Sequence, residues 1–147
     1  MPHPIIALGK TQREPSTKFA QKSARCELFT SKQLLGIGAL TGYVTALSLK
    51  DVYCILTKYF DEPSAREFVA AALDAFEILP IDESICRIAI ASDELDFEDG
   101  LIRASAEVAP VDFIISRDER AFRRSTIKRM SAQEYVDAFC SATEVEL

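Results

Sequence analysis

The sequence predicts an α/β fold in which a parallel sheet carries helices on both faces. Short apolar runs rich in β-branched residues alternate with amphipathic segments of helical spacing, a pattern typical of strands joined by helical crossovers. With 147 residues, 48% of them hydrophobic, the chain is long enough to bury the core of one domain. We therefore predict a single α/β domain over residues 1–147.

The first third of the chain contains one apolar run of open assignment, one predicted helix and one predicted strand. Residues 5–8 are apolar and can form a strand or the end of a helix, and residues 11–16 form a predicted turn. Residues 17–29 carry apolar side chains at helical spacing, which predicts a helix. Residues 42–46 are rich in β-forming residues and predict a buried strand.

Two helices follow, and together they predict a hairpin. The first covers residues 48–60, where Ser48 and Asp51 have the spacing of a capping box at the helix start. The second begins at Pro63, a residue that is tolerated in a first turn, and ends near Phe76. A strand is predicted directly after it, over residues 77–81.

The C-terminal half continues the alternation of helix and strand. Asp82 and Asp96 are predicted helix caps, and the helix after Asp96 ends before Pro110. Ser131 and Glu134 form a second capping box, which opens the last helix. Between these helices lie a predicted strand over 112–116, a short helical turn over 119–122 and a strand over 126–130.

Composition argues against several classes of protein. No apolar run approaches the roughly 20 residues of a membrane span, and the N-terminus lacks the apolar core of a signal peptide. We therefore expect a cytoplasmic protein with no membrane partner. The four cysteines form no Cys-x-x-Cys pair and the chain has one histidine, so we expect free, buried thiols rather than zinc sites or disulfides.

Acidic residues are concentrated where helices begin and strands end. Five acids fall within residues 93–99, and Asp118 follows the apolar strand 112–116. In a parallel sheet, strand ends and helix starts meet at one edge, so these carboxylates are expected to converge. Close carboxylates repel unless a cation compensates, and Mg²⁺ or Mn²⁺ is the usual partner of an all-oxygen cluster.

Each acid also has an ordinary structural role open to it. Asp96 and Asp99 can be the cap and the first-turn acid of one helix. Asp118 can cap the turn after its strand, and Asp51 can complete its capping box. Residue type and spacing leave both the structural role and the metal-binding role open for each of them.

The net charge is −6, but the positively charged residues are distributed unevenly along the chain. Residues 1–50 carry seven Lys and Arg against two acids, whereas residues 51–147 carry ten against twenty-one. A basic group follows the strand 112–116 directly and consists of Arg117, Arg120, Arg123, Arg124, Lys128 and Arg129. Such a group is either a solvated face or a rim that binds a polyanion such as RNA.

Three stretches resemble the PIN domain family in order and spacing. The sequences DFEDGL (residues 96–101) and DFIISRDERAF (residues 112–122) are similar to the C-terminal half of that family. The sequence TALSLKDVYCI (residues 45–55) resembles its second strand and the helix that bears its second acid. The resemblance is strongest over residues 40–140.

The resemblance implies a three-layer α/β/α fold and metal-dependent endoribonuclease activity, often as the toxin of a bacterial toxin–antitoxin pair of the VapC type. It implies catalytic and metal-binding roles for Asp51, Asp99 and Asp118, with Mg²⁺ or Mn²⁺ as the cofactor. Asp96 would be an auxiliary ligand, and Ser116 would orient the site. RNA, an antitoxin protein and a second copy of the chain are the expected partners, and the residues expected to bind RNA are Arg117, Arg120, Arg123 and Arg124.

The first metal-binding acid of the family has no counterpart in this chain. PIN domains begin with a strand that ends in Asp-Thr-Asn or a similar sequence, whereas the first Asp here is Asp51. Either that strand is missing, or residues 5–8 replace it without the acid. A missing central strand would expose two sheet edges, which predicts a homodimer that covers them. We expect weak or no ribonuclease activity, raised at least about tenfold by an acid grafted at residue 4.

Three functions are compatible with these observations. The first is an active Mg²⁺-dependent ribonuclease, and the second is a PIN-fold binding module that has lost catalysis. The third is a phosphoacceptor signalling domain, which needs a lysine at a late strand end; Lys128 is the candidate.

Overall fold

The structure is a computed structural model that describes residues 3–7 and 40–139, with side chains over 41–138. Five parallel strands form one sheet in the order β3-β2-β1-β4-β5. The strands are β1 (His3–Ala7), β2 (Leu40–Thr45), β3 (Glu77–Leu79), β4 (Phe113–Ile115) and β5 (Lys128–Met130). The helices are α1 (Ala46–Tyr59), α2 (Glu62–Ala75), α3 (Glu83–Ala91), α4 (Phe97–Val108) and α5 (Ala132–Phe139). Among the helices of these ranges, none is long and apolar enough to cross a membrane.

Helices cover both faces of the sheet, so the predicted three-layer α/β/α architecture is confirmed. Neighbouring residues of β2 serve opposite faces: Val44 packs with Leu49 of α1 and Ala72 of α2. Tyr43 belongs instead to the larger cluster that contains Ile102 of α4. The connection from β2 to β3 and the connection from β3 to β4 run in opposite directions across the sheet, so right-handed crossovers place them on opposite faces.

β1 is the central strand of the sheet. It pairs with β2 over residues 3–6 and with β4 over residues 5–7. The possibility that the first strand is missing is therefore wrong, and the apolar run that begins at Ile5 supplies it. The ladder to β4 starts one residue after Pro4, whose ring nitrogen has no hydrogen to donate. Because β1 fills the centre of the described sheet, no unpaired central strand edges are left for a second copy of the chain to cover, and this argument for a homodimer does not hold.

α1 and α2 form the predicted hairpin, but α1 begins earlier than predicted. Thr45 is both the last residue of β2 and the N-cap of α1, and its Oγ1 accepts a hydrogen bond from the Ser48 amide at 3.2 Å. The predicted capping box of Ser48 and Asp51 is therefore wrong, since the helix starts where the extended strand ends. Asp51 lies in the second turn of α1, so capping does not explain its presence.

The C-terminal elements agree with the prediction except at one turn. The predicted aspartates are the N-caps of α3 and α4. Ser131 and Glu134 form the predicted capping box of α5 through reciprocal bonds of 2.6 and 3.1 Å. Residues 119–122 do not form a helical turn, because the chain reaches Phe122 in the left-handed region, with φ of 65°. Phe122 is 2% exposed and belongs to the larger core cluster.

The predictions for the cysteines and for the N-terminal helix have different outcomes. Cys54 is exposed and Cys86 is half-buried, so the expectation of buried thiols is wrong for these two. Cys26, Cys140 and the helix predicted over 17–29 lie outside the described residues.

Candidate functional site

The topology brings the turns that bear Asp51, Asp99 and Asp118 to the carboxyl edge of the sheet. α1 begins where β2 ends, and Asp51 lies in its second turn. α4 crosses back before β4, so its N-terminus lies at the same edge, and Asp99 is its third residue. Asp118 follows the end of β4 by three residues.

The starts of α1 and α4 are neighbours. Leu47, in the first turn of α1, packs on an apolar cluster that includes Leu101 of α4. Within α1, the hydrogen bond with Asp51 raises the pKa of Lys50, and the Glu98 carboxylate of α4 adds a smaller effect in the same direction. The turn that bears Asp51 therefore lies beside the first turn of α4.

Asp51 forms an ion pair with a lysine that precedes it in the helix. Its Oδ1 lies 2.6 Å from Lys50 Nζ, and 25% of the Asp51 side chain is exposed. A half-buried carboxylate within reach of solvent can still exchange an ammonium partner for a metal ion, because the pair is not sealed in the interior.

Asp96 and Asp99 have different roles at the start of α4. The Asp96 Oδ1 atom accepts hydrogen bonds from the amides of Glu98, at 2.9 Å, and Asp99, at 3.2 Å. Asp96 is thus the helix cap that its sequence position allowed. The Asp99 side chain is 7% exposed, and it is the buried carboxylate of the helix start. The helix dipole favours a negative charge at that position.

Asp118 is held in place through its backbone and one carboxylate oxygen. Its amide donates to Ser116 Oγ at 3.1 Å, and its Oδ1 accepts from the amides of Arg120, at 2.8 Å, and Ala121, at 3.2 Å. Among the described residues, both hydrogen bonds accepted by this carboxylate go to Oδ1. The geometry leaves Oδ2 for another partner.

Ser116 is fixed by β5 and in turn fixes the Asp118 loop. Its side chain is buried, its amide donates to the Met130 carbonyl at 3.0 Å, and its own carbonyl accepts from Arg129 Nη1 at 2.7 Å. The Ser116 hydroxyl thus contacts the Asp118 backbone amide, and the site-orienting role expected for Ser116 stays a prediction.

Arg103 forms ion pairs with two of the five acids that precede or open α4, a role that was not predicted from the sequence. This side chain is 12% exposed; its Nη1 lies 2.6 Å from Asp93 and 3.5 Å from Glu94, and its Nε lies 3.0 Å from Glu107. Its hydrogen bond holds the pKa of Asp93 below the ordinary value. Asp93 and Glu94 are therefore structural ion-pair partners. The available signal was the i,i+4 spacing of Arg103 and Glu107.

The same arginine ties α4 to the segment that leads into β5. Arg103 Nη2 donates to the Arg124 carbonyl at 2.8 Å. Glu107 accepts from Ser125 Oγ at 3.0 Å and from the Thr126 amide at 3.1 Å. Burial raises the pKa of Glu107, but these bonds and the one from Arg103 outweigh it, so the pKa is lowered.

Most of the arginine side chains near Asp118 are exposed, and one of them also contacts an acid that pairs with Arg103. Arg117, Arg120 and Arg123 are exposed, and Arg123 Nε donates to the Glu119 carbonyl at 2.9 Å. Arg124 Nη1 lies 3.4 Å from Asp93 Oδ2, so this arginine is partly engaged within the protein.

Lys128 lies at the edge of the sheet formed by the amino ends of the strands, opposite the edge that bears the candidate acids. It is the first residue of β5, and β5 is parallel to β4, so Lys128 is at the amino end of its strand. The lysine that a phosphoacceptor domain needs at a strand's carboxyl end is therefore not supplied by Lys128.

The carboxylate chemistry suits Mg²⁺ or Mn²⁺, but the described residues form an incomplete site. Within residues 3–7 and 40–139, no three His, Cys, Asp or Glu side chains lie close enough together to hold one metal ion. Mg²⁺ is commonly bound by one or two carboxylates together with waters and substrate phosphates, so its chemistry does not require three protein acids. The acid that the PIN family carries on its first strand is missing at β1, which ends in Ile-Ile-Ala.

The register of β1 also corrects the place for a grafted acid. Pro4 pairs with Thr41 near the start of the strand, whereas Ala7 pairs with Ile115 at its carboxyl end. Residue 4 therefore lies away from the edge at which the other acids are found, and Ala7 is the matching position.

Comparisons with known proteins agree with this architecture. Among solved structures, the chain is similar to the crystal structure of PAE2754 from Pyrobaculum aerophilum, with a TM-score of 0.59 and 12% identity over 95% of this chain and 96% of that one. At that identity the likeness shows a shared fold. None of the curated protein sequences matches the chain.

The family assignment comes from the sequence model of the PIN domain, which matches residues 27–128. The match includes all three candidate acids and the segment around Ser116, and it begins after β1. Since it covers more than half of the chain, this protein belongs to the PIN domain family.

Proposed function

We propose that this protein is a Mg²⁺-dependent endoribonuclease that acts through Asp51, Asp99 and Asp118, with the metal bound by one or two of these carboxylates together with waters and substrate phosphates. The observation that carries the proposal is the common position of their three turns at the carboxyl edge of a PIN-type sheet. Mn²⁺ has the same preference for oxygen ligands and would replace Mg²⁺ in vitro.

The residues of the chain have distinct tasks in this proposal. Asp99 and Asp118 present carboxylate oxygens to the metal, Asp51 lies at the same edge on α1, and Asp96 keeps the α4 turn in place as its cap. Ser116 holds the Asp118 loop. When bound, the divalent ion would supply a water of lowered pKa and stabilise the charge that develops on the scissile phosphate.

The exposed arginines supply the RNA-binding surface in this proposal. Arg117, Arg120 and Arg123 follow β4 directly, so they are positioned to contact phosphates on either side of a bond cleaved near Asp118. Arg124 would contribute less to RNA binding, because its guanidinium also pairs with Asp93.

We also propose that the protein is the toxin of a bacterial toxin–antitoxin pair of the VapC type. RNA cleavage in the cytoplasm would be restrained by an antitoxin protein, and the chain would form a homodimer. Exposed apolar side chains such as Ile90, Leu95 and Phe97 offer surface for such partners.

A catalytically inactive PIN-fold binding module is the second candidate. The observation that favours it is β1, which occupies the centre of the sheet but supplies no carboxylate at its end. A site that lacks one acid holds its metal loosely, and a misplacement near 1 Å costs about a hundredfold in rate. An intact basic surface would still bind RNA.

Cleavage of a mixed RNA pool tests the two candidates against each other. With millimolar Mg²⁺ and single-turnover conditions, we expect slow cleavage that stops with EDTA and is abolished by Asp118→Asn. Asp74→Asn, which removes the same charge from an exposed position of α2, is the control and should cleave at the wild-type rate. Salt-sensitive RNA binding without any Mg²⁺-dependent cleavage would support the inactive module instead.

A further inference from the structure

The connection between β4 and β5 is fixed at its start, in its middle and at its end. At the start, Asp118 Oδ1 accepts hydrogen bonds from the amides of Arg120, at 2.8 Å, and Ala121, at 3.2 Å. In the middle, Phe122 is 2% exposed and belongs to the larger core cluster. The end is held by α4. The connection therefore has little backbone freedom, although residues 119–127 form neither a helix nor a strand.

The end of the connection is attached to the ion pair of Arg103 and Glu107. Arg103 Nη2 donates to the Arg124 carbonyl at 2.8 Å. Glu107 Oε1 accepts from Ser125 Oγ at 3.0 Å and from the Thr126 amide at 3.1 Å. The side chains of Arg103 and Glu107 are 12% and 22% exposed, so solvent screens these contacts only in part. One ion pair thus restrains three consecutive residues of the connection.

The connection presents basic side chains to solvent. Arg120, Arg123 and Arg124 are exposed, and Arg123 and Arg124 also have contacts within the protein. A loop that binds RNA loses conformational freedom on binding, and this loss opposes affinity. A backbone that is fixed before RNA arrives has less freedom to lose, so the contacts of α4 with residues 124–126 favour binding by the neighbouring arginines.

We propose that Arg103 and Glu107 are positioning residues for RNA, because they hold the β4–β5 connection so that its arginines form a preformed surface for the phosphate backbone. The inference rests on the RNA-binding surface of the proposed function and extends it to two residues of α4 that act through the connection. It requires neither a bound metal ion nor cleavage, so RNA binding alone can test it.

The charge of Glu107 makes the direction of the effect informative. Removal of an acid near a basic surface would, on charge alone, strengthen the binding of RNA. Loss of the anchor should weaken it. We expect Glu107→Ala to bind a fluorescein-labelled oligouridylate about threefold to tenfold more weakly than the wild type, measured by fluorescence anisotropy in EDTA at fixed salt. Glu67→Ala makes the same replacement at an exposed position of α2, and its affinity should stay within about twofold of the wild type.

Two further variants distinguish positioning from a general loss of stability. Ser125→Ala removes one anchoring hydrogen bond without a change of charge, so it should weaken RNA binding by about twofold even if Glu107→Ala fails to fold. Arg123→Gln should weaken binding less in the Glu107→Ala background than in the wild type, because the arginine is no longer held in its binding position. A purely structural role for Glu107 would leave the effect of Arg123→Gln unchanged.

The outcomes separate this inference from the proposed function. Unchanged or tighter RNA binding by both Glu107→Ala and Ser125→Ala would overturn the positioning role and leave the arginine surface standing. Equal losses from Arg123→Gln in the two backgrounds would also overturn it. Wild-type affinity after joint replacement of Arg120, Arg123 and Arg124 by Gln would overturn the proposed RNA-binding surface, and this inference with it.

Discussion

Replacement of Arg103 should destabilise the protein far more than replacement of an exposed arginine. Arg103→Met keeps much of the apolar stem but removes the guanidinium that lies between Asp93, Glu94 and Glu107. Loss of one partner from a fully buried ion pair costs about 3 to 5 kcal/mol. Arg103 is 12% exposed and Asp93 is 52% exposed, so solvent screening reduces this to about 2 kcal/mol, or a fall in Tm of about 4–8 °C.

Urea and thermal unfolding measure this effect, with Arg87→Met as the control. Arg87 also pairs with an acid four residues away on a helix, but its side chain is 77% exposed, and we expect a Tm within error of the wild type. Arg103→Lys should recover only part of the loss, because an ammonium cannot reproduce the forked contacts. An Arg103→Met protein as stable as Arg87→Met would refute the role assigned to this network.

Three further predictions concern the cap, the pH dependence and the missing acid. Asp96→Ala should lower stability by about 1 kcal/mol in urea unfolding while leaving Mn²⁺ affinity nearly unchanged; a large loss of affinity would show that Asp96 is itself a ligand. Because the fold lowers the pKa of Asp93 and of Glu107, their contribution to stability is present above the ordinary carboxyl pKa and is lost as the pH falls through the folded values. Glu107→Gln should therefore flatten the fall of the urea midpoint between pH 7 and about pH 3, and an unchanged slope would contradict this. Ala7→Asp should raise RNA cleavage at least about tenfold over the wild type in single-turnover assays, whereas an acid at residue 4 should not; equal effects would contradict the register of β1.

Local signals in the sequence were sufficient for most elements of the fold. The capping box of Ser131 and Glu134 depends on residues three apart, so its geometry could be predicted directly. The start of α1 could not, because Thr45 and Ser48 are both good N-caps and the choice depends on where β2 stops pairing. β1 could not be assigned either, since Pro4 weakens a strand pattern and the pairing partners lie far along the chain.

The sequence indicated which edge of the sheet the turns of the candidate acids share, but not which cations contact the nearby carboxylates. Asp51, Asp99 and Asp118 were found through the order of motifs along the chain, and the fold brings their turns to one edge. The contacts of Arg103 with Asp93 and with the Arg124 carbonyl span 10 and 21 residues, so helical spacing gives no sign of them. Lys50 and Asp51 are adjacent, and adjacent helical residues are ordinarily assumed not to meet.

The position of the metal ion is the most direct test of the proposed function. Anomalous diffraction from crystals of the wild-type protein soaked in Mn²⁺ would locate the ion independently of any activity. We expect one peak at the carboxyl edge of the sheet, about 2.1 to 2.2 Å from carboxylate oxygens of Asp99 and Asp118. A peak on Asp93 or Glu94 instead, or no peak at a concentration that saturates binding in solution, would contradict the proposed metal site.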